Sequence, residues 1–489
     1  MSISTTTPPV GGLPVWSPNL GPEFNRYINR LTPDHQKRLT SESSHILSAC
    51  VNPVDSLSSA RANAGLVLGY VQSGKTSSFT AVTALAHDNG YNLVIIVGGV
   101  SRILLNQTFT RLQADLDLNH PDAVNRWIKV LNPKLNANPA ADQVRNRLDQ
   151  VSDMLQTGQR LIDKKVAVIV VMKEVTHLKN LNELLASLSG PNKDGLRGLS
   201  ALIVDDECHM ATPNVAAMDK RSRIYSLMGE MRNHLPHHTL LQYTATPQAN
   251  LLCDLEDEFR SDFVRLLGHG PGYIGGRALF LDDPKGSRIR QIPPGEGDLV
   301  KSLDGDSGND QSIESLRHSL ATFLILGADD YLRNKKAGEH NFETFSMLVH
   351  SHSTVNVHKI FQFWLSSLRN SWKLLIEGSP NNPDRQTLLE RYFAPTYRDL
   401  AGSRRVQLQP LDEIFGEPVV HVLAFLQVWL VDGSKDGTRQ PDFLLSNYHI
   451  LNGGEMLGVG FTIPRLYVTH MLRGRGQGQM DTIQQRGRF

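Results

Sequence analysis

Short runs of consecutive apolar residues recur along the first half of the chain, at Leu66–Leu68, Leu93–Val97, Val166–Val171, Ala201–Val204 and Thr239–Tyr243. Glycine, aspartate or other polar residues bound each run. A strand buried on both faces shows such an unbroken run instead of alternation, so these segments predict a parallel sheet. Between them the apolar positions change to helical spacing, as in Ser77–His87 and Asn180–Ser189. Strand and helix in repetition predict an α/β fold, with helices on both faces of a mostly parallel sheet.

Ahead of the first run, residues 1–21 are rich in Thr, Pro and Gly, and a small helical lead-in begins at Pro22-Glu-Phe-Asn-Arg-Tyr. Further on, the polar stretch Lys301–Ser312 (KSLDGDSGNDQS) reads as a linker. A helix with Ile313, Leu316, Leu320 and Leu324 near helical spacing follows it. New buried-strand runs then come at Phe345–Val349, Val419–Leu423, Tyr448–Leu451 and Leu466–His470. The expected organisation is a lead-in over 1–60, a first α/β domain over 61–300, a linker over 301–312 and a second α/β domain over 313–489. A chain of 489 residues is too long for one ordinary core, which fits two domains.

Hydrophobic residues make up 40% of the chain and charged residues 20%, the balance of an ordinary globular protein. The formal net charge of +1 gives no whole-chain attraction for nucleic acid, so any basic track must be local. Cys50, Cys208 and Cys253 are far apart and match no metal-ligand spacing. They read as reduced thiols of a cytoplasmic protein. The N-terminus has no basic-then-apolar leader, and no run of about 18 apolar residues predicts a membrane span.

The first strand runs into Gly69-Tyr-Val-Gln72-Ser73-Gly74-Lys75-Thr76, which fits G-x-x-x-x-G-K-[ST]. Glycines let the backbone fold tightly, so that several N–H groups converge on phosphate oxygens. The helix starting near Lys75 adds its positive end. Lys75 reaches the β and γ phosphates of ATP, and the Thr76 hydroxyl can ligate Mg²⁺. The strand and helix on either side favour this reading over an incidental glycine turn.

A second piece is Ala201-Leu-Ile-Val-Asp205-Asp206-Glu207-Cys208-His209. Its acids fall at the carboxyl end of a buried strand, the edge where ligands gather in open parallel sheets. Asp206 suits Mg²⁺, and Glu207 suits the base that activates the attacking water, with Asp205 in support. The plainer reading is a helix N-cap. For His209 a polar contact between domains or to the next motif is a better reading than a zinc site.

Further along, Gln242-Tyr-Thr244-Ala-Thr246-Pro resembles the Ser/Thr-Ala-Thr motif of superfamily 2 helicases, which couples ATP state to domain movement. Asn452–Thr462 resembles their motif V, and Gln484-Gln-Arg486-Gly-Arg488 their motif VI. With Ile95–Arg111, Met347–His350, Tyr243–Leu251, Asp481–Phe489 and the Gly-Tyr-Ile-Gly-Gly of Phe263–Gly276, the set resembles the helicase-like ATPases carrying the Z1 domain, often labelled endonucleases. The resemblance spans about Gly65 to Phe489. It implies two RecA-like P-loop domains, ATP and Mg²⁺ as ligands, and a place in restriction or phage-defence systems beside a nuclease subunit encoded nearby. It also implies coupling roles for Thr244, Thr246 and Gln484, and catalytic roles for Lys75, Glu207, Arg488 and Arg486. Two departures stand out. Val459 replaces the arginine usual in motif V, and the chain stops inside motif VI, so a fragment is expected.

A motor of this kind grips the DNA backbone without reading sequence. Ser101, Arg102, Gln107 and Lys173 are the candidates in the first domain, with Arg473 and Arg475 near the end. His350 and His352 read as structural, and His234, His237 and His238 as a surface turn. No nuclease motif is legible: Asp122 and Asp163-Lys-Lys165 are far apart, and the second precedes its strand. The expected function is a DNA-stimulated, helicase-like ATP hydrolase that drives translocation or licenses cleavage by a partner. The alternative is a nucleotide-gated assembly protein that controls a nuclease without moving along DNA.

Overall fold

The structure, a computed structural model, describes residues 16–472 other than 58–59, 72, 157–164, 189–195, 197, 211–221, 248–258, 271–272, 284–287, 302–312, 339–342, 353, 404–406, 433–440, 455–456 and 458–461. The chain forms two compact units, Met1–Tyr273 and Ile274–Phe489.

The first unit is built on a seven-stranded sheet. Its strands are β1 (Arg61–Leu68), β2 (Leu93–Gly98), β3 (Trp127–Leu131), β4 (Val166–Met172), β5 (Ala201–Asp206), β6 (His237–Thr244) and β7 (Phe263–Leu266). Their order is β3-β4-β2-β5-β6-β1-β7, with every pairing parallel. All five apolar runs are strands, and β2, β4 and β6 are buried along their whole length. Successive residues feed opposite cores. Val94, Ile96, Val168, Val170, Leu202 and Val204 pack on one face, and Leu93, Ile95, Ala167, Ile169 and Ile203 on the other. This is the period of two expected of a strand. The first face is covered by α1 (Pro22–Ile28), α2 (Pro33–Leu47), α3 (Lys75–Asp88) and α4 (Arg102–Asp115). The second is covered by α5 (Pro139–Gln156), α6 (Val175–Leu188) and α7 (Arg223–His234). The fold class read from the sequence is therefore observed.

The edge strands β3 and β7 were not among the expected runs. β7 is four residues long with alternating exposure, and Lys129 interrupts β3. The three histidines are not a surface turn. His237 and His238 are buried in the first positions of β6, and His234 ends α7. Burial, then the nearby Arg232 charge, lowers the His238 pKa to about 4.

The second unit has a four-stranded parallel sheet of β8 (Phe345–His350), β9 (Leu426–Val431), β10 (Tyr448–Gly453) and β11 (Leu466–Met471), in the order β11-β8-β10-β9. The helices Glu314–Ala337 and Val355–Glu377 supply much of its core. One expectation fails here. Val419–Leu423 is not a strand but part of a helix, Glu417–Phe425, that leads directly into β9. Pro418 stands in its first turn, where the missing N–H costs nothing and the fixed φ suits a helix. His350 is fully buried at the end of β8, and His352 Nδ1 lies 3.1 Å from Thr354 Oγ1. Among the described residues no helix is long and apolar enough to cross a membrane.

Candidate active site

Strand register fixes which residues meet at the carboxyl edge of the first sheet. Leu68 pairs with Thr244, Val204 with Leu241, Asp206 with Tyr243 and Val97 with Asp205. The loop after β1, the acids ending β5 and the Thr-Ala-Thr tail of β6 therefore emerge side by side, with β6 between the other two.

The loop after β1 turns directly into α3. Gly69 N–H donates to Thr244 O at 3.1 Å, and a Cβ on Gly69 would meet Lys75 Cγ and Ser73 Oγ at 3.0 Å. Gly74 is the N-cap of α3 at φ 96, a left-handed conformation that strains any residue with a Cβ. No side chain caps α3. Its first N–H groups therefore face the loop with the helix's positive end behind them. Ser73 is buried with its Oγ unpartnered, a polar atom in want of a ligand. Thr76 stands one residue into the helix and its carbonyl accepts from Thr80 Oγ1 at 2.8 Å.

Lys75 lies across the sheet edge from the acids. Its Nζ is 3.6 Å from Glu207 Oε1, and both side chains are nearly buried. Glu207 takes φ 48, unusual for a residue with a long side chain. Such conformations cost about 1–3 kcal/mol and collect at functional sites. The Asp206 carboxylate accepts from Glu207 N–H at 3.1 Å. Burial first, then the adjacent Glu207 charge, pushes the Asp206 pKa up to about 7, against the pull of Lys75 and Lys173.

His209 ties the acids to β6. Its Nδ1 is 3.5 Å from Glu207 Oε2 and 3.0 Å from Thr244 Oγ1, and Thr244 Oγ1 accepts Thr246 N–H at 3.0 Å. Of the two polar contacts the sequence favoured over zinc, this is the one to the next motif. Among the described residues no cluster of three or more His, Cys, Asp or Glu could hold a metal ion by itself. Mg²⁺ needs no such cage: it usually keeps several waters and takes one or two protein oxygens besides substrate phosphates. The Asp206 carboxylate and Thr76 hydroxyl are a donor set of that kind.

Lys173 requires a correction. It is buried after β4, not presented to a nucleic acid. Its Nζ is 2.6 Å from Asp205 Oδ1 and donates to Asp206 O at 2.9 Å and Glu207 O at 3.1 Å. The lysine pins the backbone that carries the acids, and Asp205 is its counter-charge. Lys173→Met leaves Asp205 buried without that charge, and breaking such a pair costs about 3–5 kcal/mol. The urea midpoint of the first unit should fall accordingly, and Lys173→Met with Asp205→Asn should recover most of the loss. A single variant as stable as the parent would remove this role.

Ser101 is the N-cap of α4, its Oγ accepting Leu104 N–H at 3.4 Å. Arg102 is exposed at the start of α4, and Gln107 is half-buried farther along it. Gln72, Gln484, Arg486, Arg488, Arg473 and Arg475 lie outside the described residues, as do 455–456 and 458–461 of the motif V stretch. Sequence reasoning missed Arg38 on α2 and Arg111 on α4. Arg111 Nη2 donates to Ser77 Oγ at 2.9 Å, one residue beyond Thr76, and Arg38 Nη1 bonds Glu42 and Gly268 O at 3.1 Å each. Arg111 closes the resembling stretch Ile95–Arg111, the one signal that pointed toward it.

Comparison with known proteins gives one family, and solved structures that match only weakly. The family described as "Z1 domain" matches residues 315–489. No curated protein matches the chain. The Pyrococcus furiosus Hef helicase domain aligns at 13% identity, over 91% of this chain and 93% of its own, with a TM-score of 0.30. The ADP form of the Aeropyrum pernix ORC2 protein aligns at 15% identity, over 82% and 89%, with a TM-score of 0.24. At TM-scores this low neither likeness bears on fold or activity. The second unit, from Ser315 onward, is thus similar in sequence to Z1 domains.

Proposed function

We propose that the chain is a helicase-like ATPase acting on DNA. The observation that carries the reading is the meeting of a glycine-bounded loop, its lysine and two consecutive acids on one sheet edge, with Lys75 Nζ 3.6 Å from Glu207 Oε1. Backbone N–H groups between Gly69 and Thr76 cradle the phosphates, and Lys75 neutralises charge on the β and γ groups. Thr76 and Asp206 would hold Mg²⁺, which supplies further charge neutralisation at the phosphates. Glu207 accepts the proton of the water that attacks the γ phosphorus. His209 passes any displacement of Glu207 to Thr244 and Thr246, a physical basis for coupling. In the same proposal Arg486 or Arg488 serves the transferred phosphoryl group, and Gln484 belongs to the coupling set. Turnover drives translocation or licenses cleavage by a nuclease subunit in a restriction or defence system.

ATP turnover measured with and without duplexes of increasing length tests the reading. Stimulation that rises with length is the expected result for a motor. Stimulation independent of length favours the nucleotide-gated switch, and turnover indifferent to DNA sinks the DNA-acting part.

A further inference from the structure

A cavity of about 330 Å³ opens beside the phosphate loop, with Ser73 and Gly74 in its lining. That volume lies within the range of small-molecule sites. His35 and Arg38 of α2, Gly74 and Ser77 at the start of α3, and Tyr273 are among its lining residues. Lys75 and Ser77 are two positions apart, about 200° round the helix. Lys75 faces the acids and Ser77 faces the cavity. A triphosphate lying along the loop with its terminal phosphate at Lys75 therefore leads its nucleoside into this space.

The walls have the chemistry of a nucleobase site. Tyr273 stacks on His269, ring centroids 5.3 Å apart at 25°, and tilts against Tyr70 at 5.7 Å. The Tyr273 hydroxyl donates to Val71 O at 2.8 Å, which fixes the ring to the phosphate loop itself. Arg38, which lines the same cavity, is mostly buried, and its Nε has no partner although Nη1 has two. Ser73 Oγ, also a lining atom's residue, is buried and unpartnered. Orphaned donors beside an aromatic ring suit a flat heteroaromatic ligand with acceptor edges. Gly270 lies close to α2: a Cβ there would meet His35 Nε2 at 2.9 Å, so a larger residue would have to displace the imidazole.

We propose that this cavity takes the base and ribose of the bound nucleoside triphosphate, with Tyr273 as the stacking surface and Arg38 along the edge of the base. The assignment rests on the nucleotide reading above and gives a role to Tyr273 and the lead-in helix α2, which that reading leaves idle.

Calorimetric titration of the full chain with ATP·Mg²⁺ tests it, using Tyr273→Ala, Tyr273→Phe and Lys75→Ala. Loss of base stacking should weaken ATP at least about tenfold in Tyr273→Ala. Tyr273→Phe keeps the ring and should stay within about twofold of the parent. Photolabelling with 8-azido-ATP should mark peptides containing His35 or Tyr273, and excess ATP should prevent it. An unchanged Tyr273→Ala overturns the proposal. So does equal weakening in Ala and Phe, which would place the effect in the Val71 bond, and so does labelling elsewhere or no labelling at saturation. If Lys75→Ala binds ATP like the parent, the phosphate reading itself has failed, an outcome independent of the tyrosine.

Discussion

Lys75→Ala should lower ATP turnover at least about 10²–10³-fold, the loss typical of removing one preorganised electrostatic group from a reaction site. The ammonium stands at the first position of α3, directly after the left-handed Gly74, and is nearly buried. Its Nζ lies 3.6 Å from Glu207 Oε1. A bound triphosphate offers it more negative charge at the same place. Alanine keeps the helix start, because Lys75 neither caps α3 nor fills the apolar core. ATP should raise the melting temperature of the parent and not that of the variant, since only a ligand that binds the folded state stabilises it. Lys75→Arg is expected to fail nearly as badly. A planar guanidinium is a poor substitute for a compact point charge in a loop whose backbone is packed against the lysine stem at Gly69. Parent-like turnover in the alanine variant would remove the site assignment.

How much of this site was legible in the chain depends on how local each constraint is. Gly69–Thr76 and Asp205–Glu207 could be placed because each sits at the end of an unbroken apolar run, and parallel strands bring such ends to one edge. Lys173 could not be read correctly. Its position after β4 suggested exposure, and only the tertiary fold reveals Asp205 on the neighbouring side and the two carbonyls that occupy its N–H groups. The edge strands β3 and β7 were missed because one of their faces is wetter and the apolar run is broken by Lys129 or Arg265. Val419–Leu423 was misread because a short apolar run does not separate a buried helix from a buried strand. Pro418 was the available hint. The lead-in was legible as helix but not as a wall of the cavity, since nothing in Pro33–Leu47 shows that Arg38 reaches Gly268, 230 positions away.

Glu207→Gln separates binding from chemistry. The amide has the shape of the carboxylate but cannot take a proton from water, so single-turnover hydrolysis should fall about 10²–10⁴-fold. Affinity for ATP·Mg²⁺ should hold or rise, for two reasons that reinforce each other. The variant no longer draws Lys75 into an ion pair at 3.6 Å, leaving the ammonium to the phosphates. It also removes a like charge next to Asp206. In the parent, burial and then the Glu207 charge push the Asp206 pKa up to about 7. Below that pH the carboxyl holds a proton that Mg²⁺ must displace, so parent affinity for ATP·Mg²⁺ should drop as pH falls from 8 to 6, by up to about tenfold per unit. The sign for the metal-free fold is the opposite. A carboxyl whose pKa is raised on folding favours the fold at low pH, and that contribution fades as pH rises from about 4 through about 7. With Gln at 207 one of the two causes is gone, and the decline in affinity should move to lower pH. Titrations at several pH values, set beside single-turnover rates, check both halves. Normal hydrolysis in the variant would take the base away from Glu207. A parent affinity flat between pH 8 and 6 would take the metal away from Asp206.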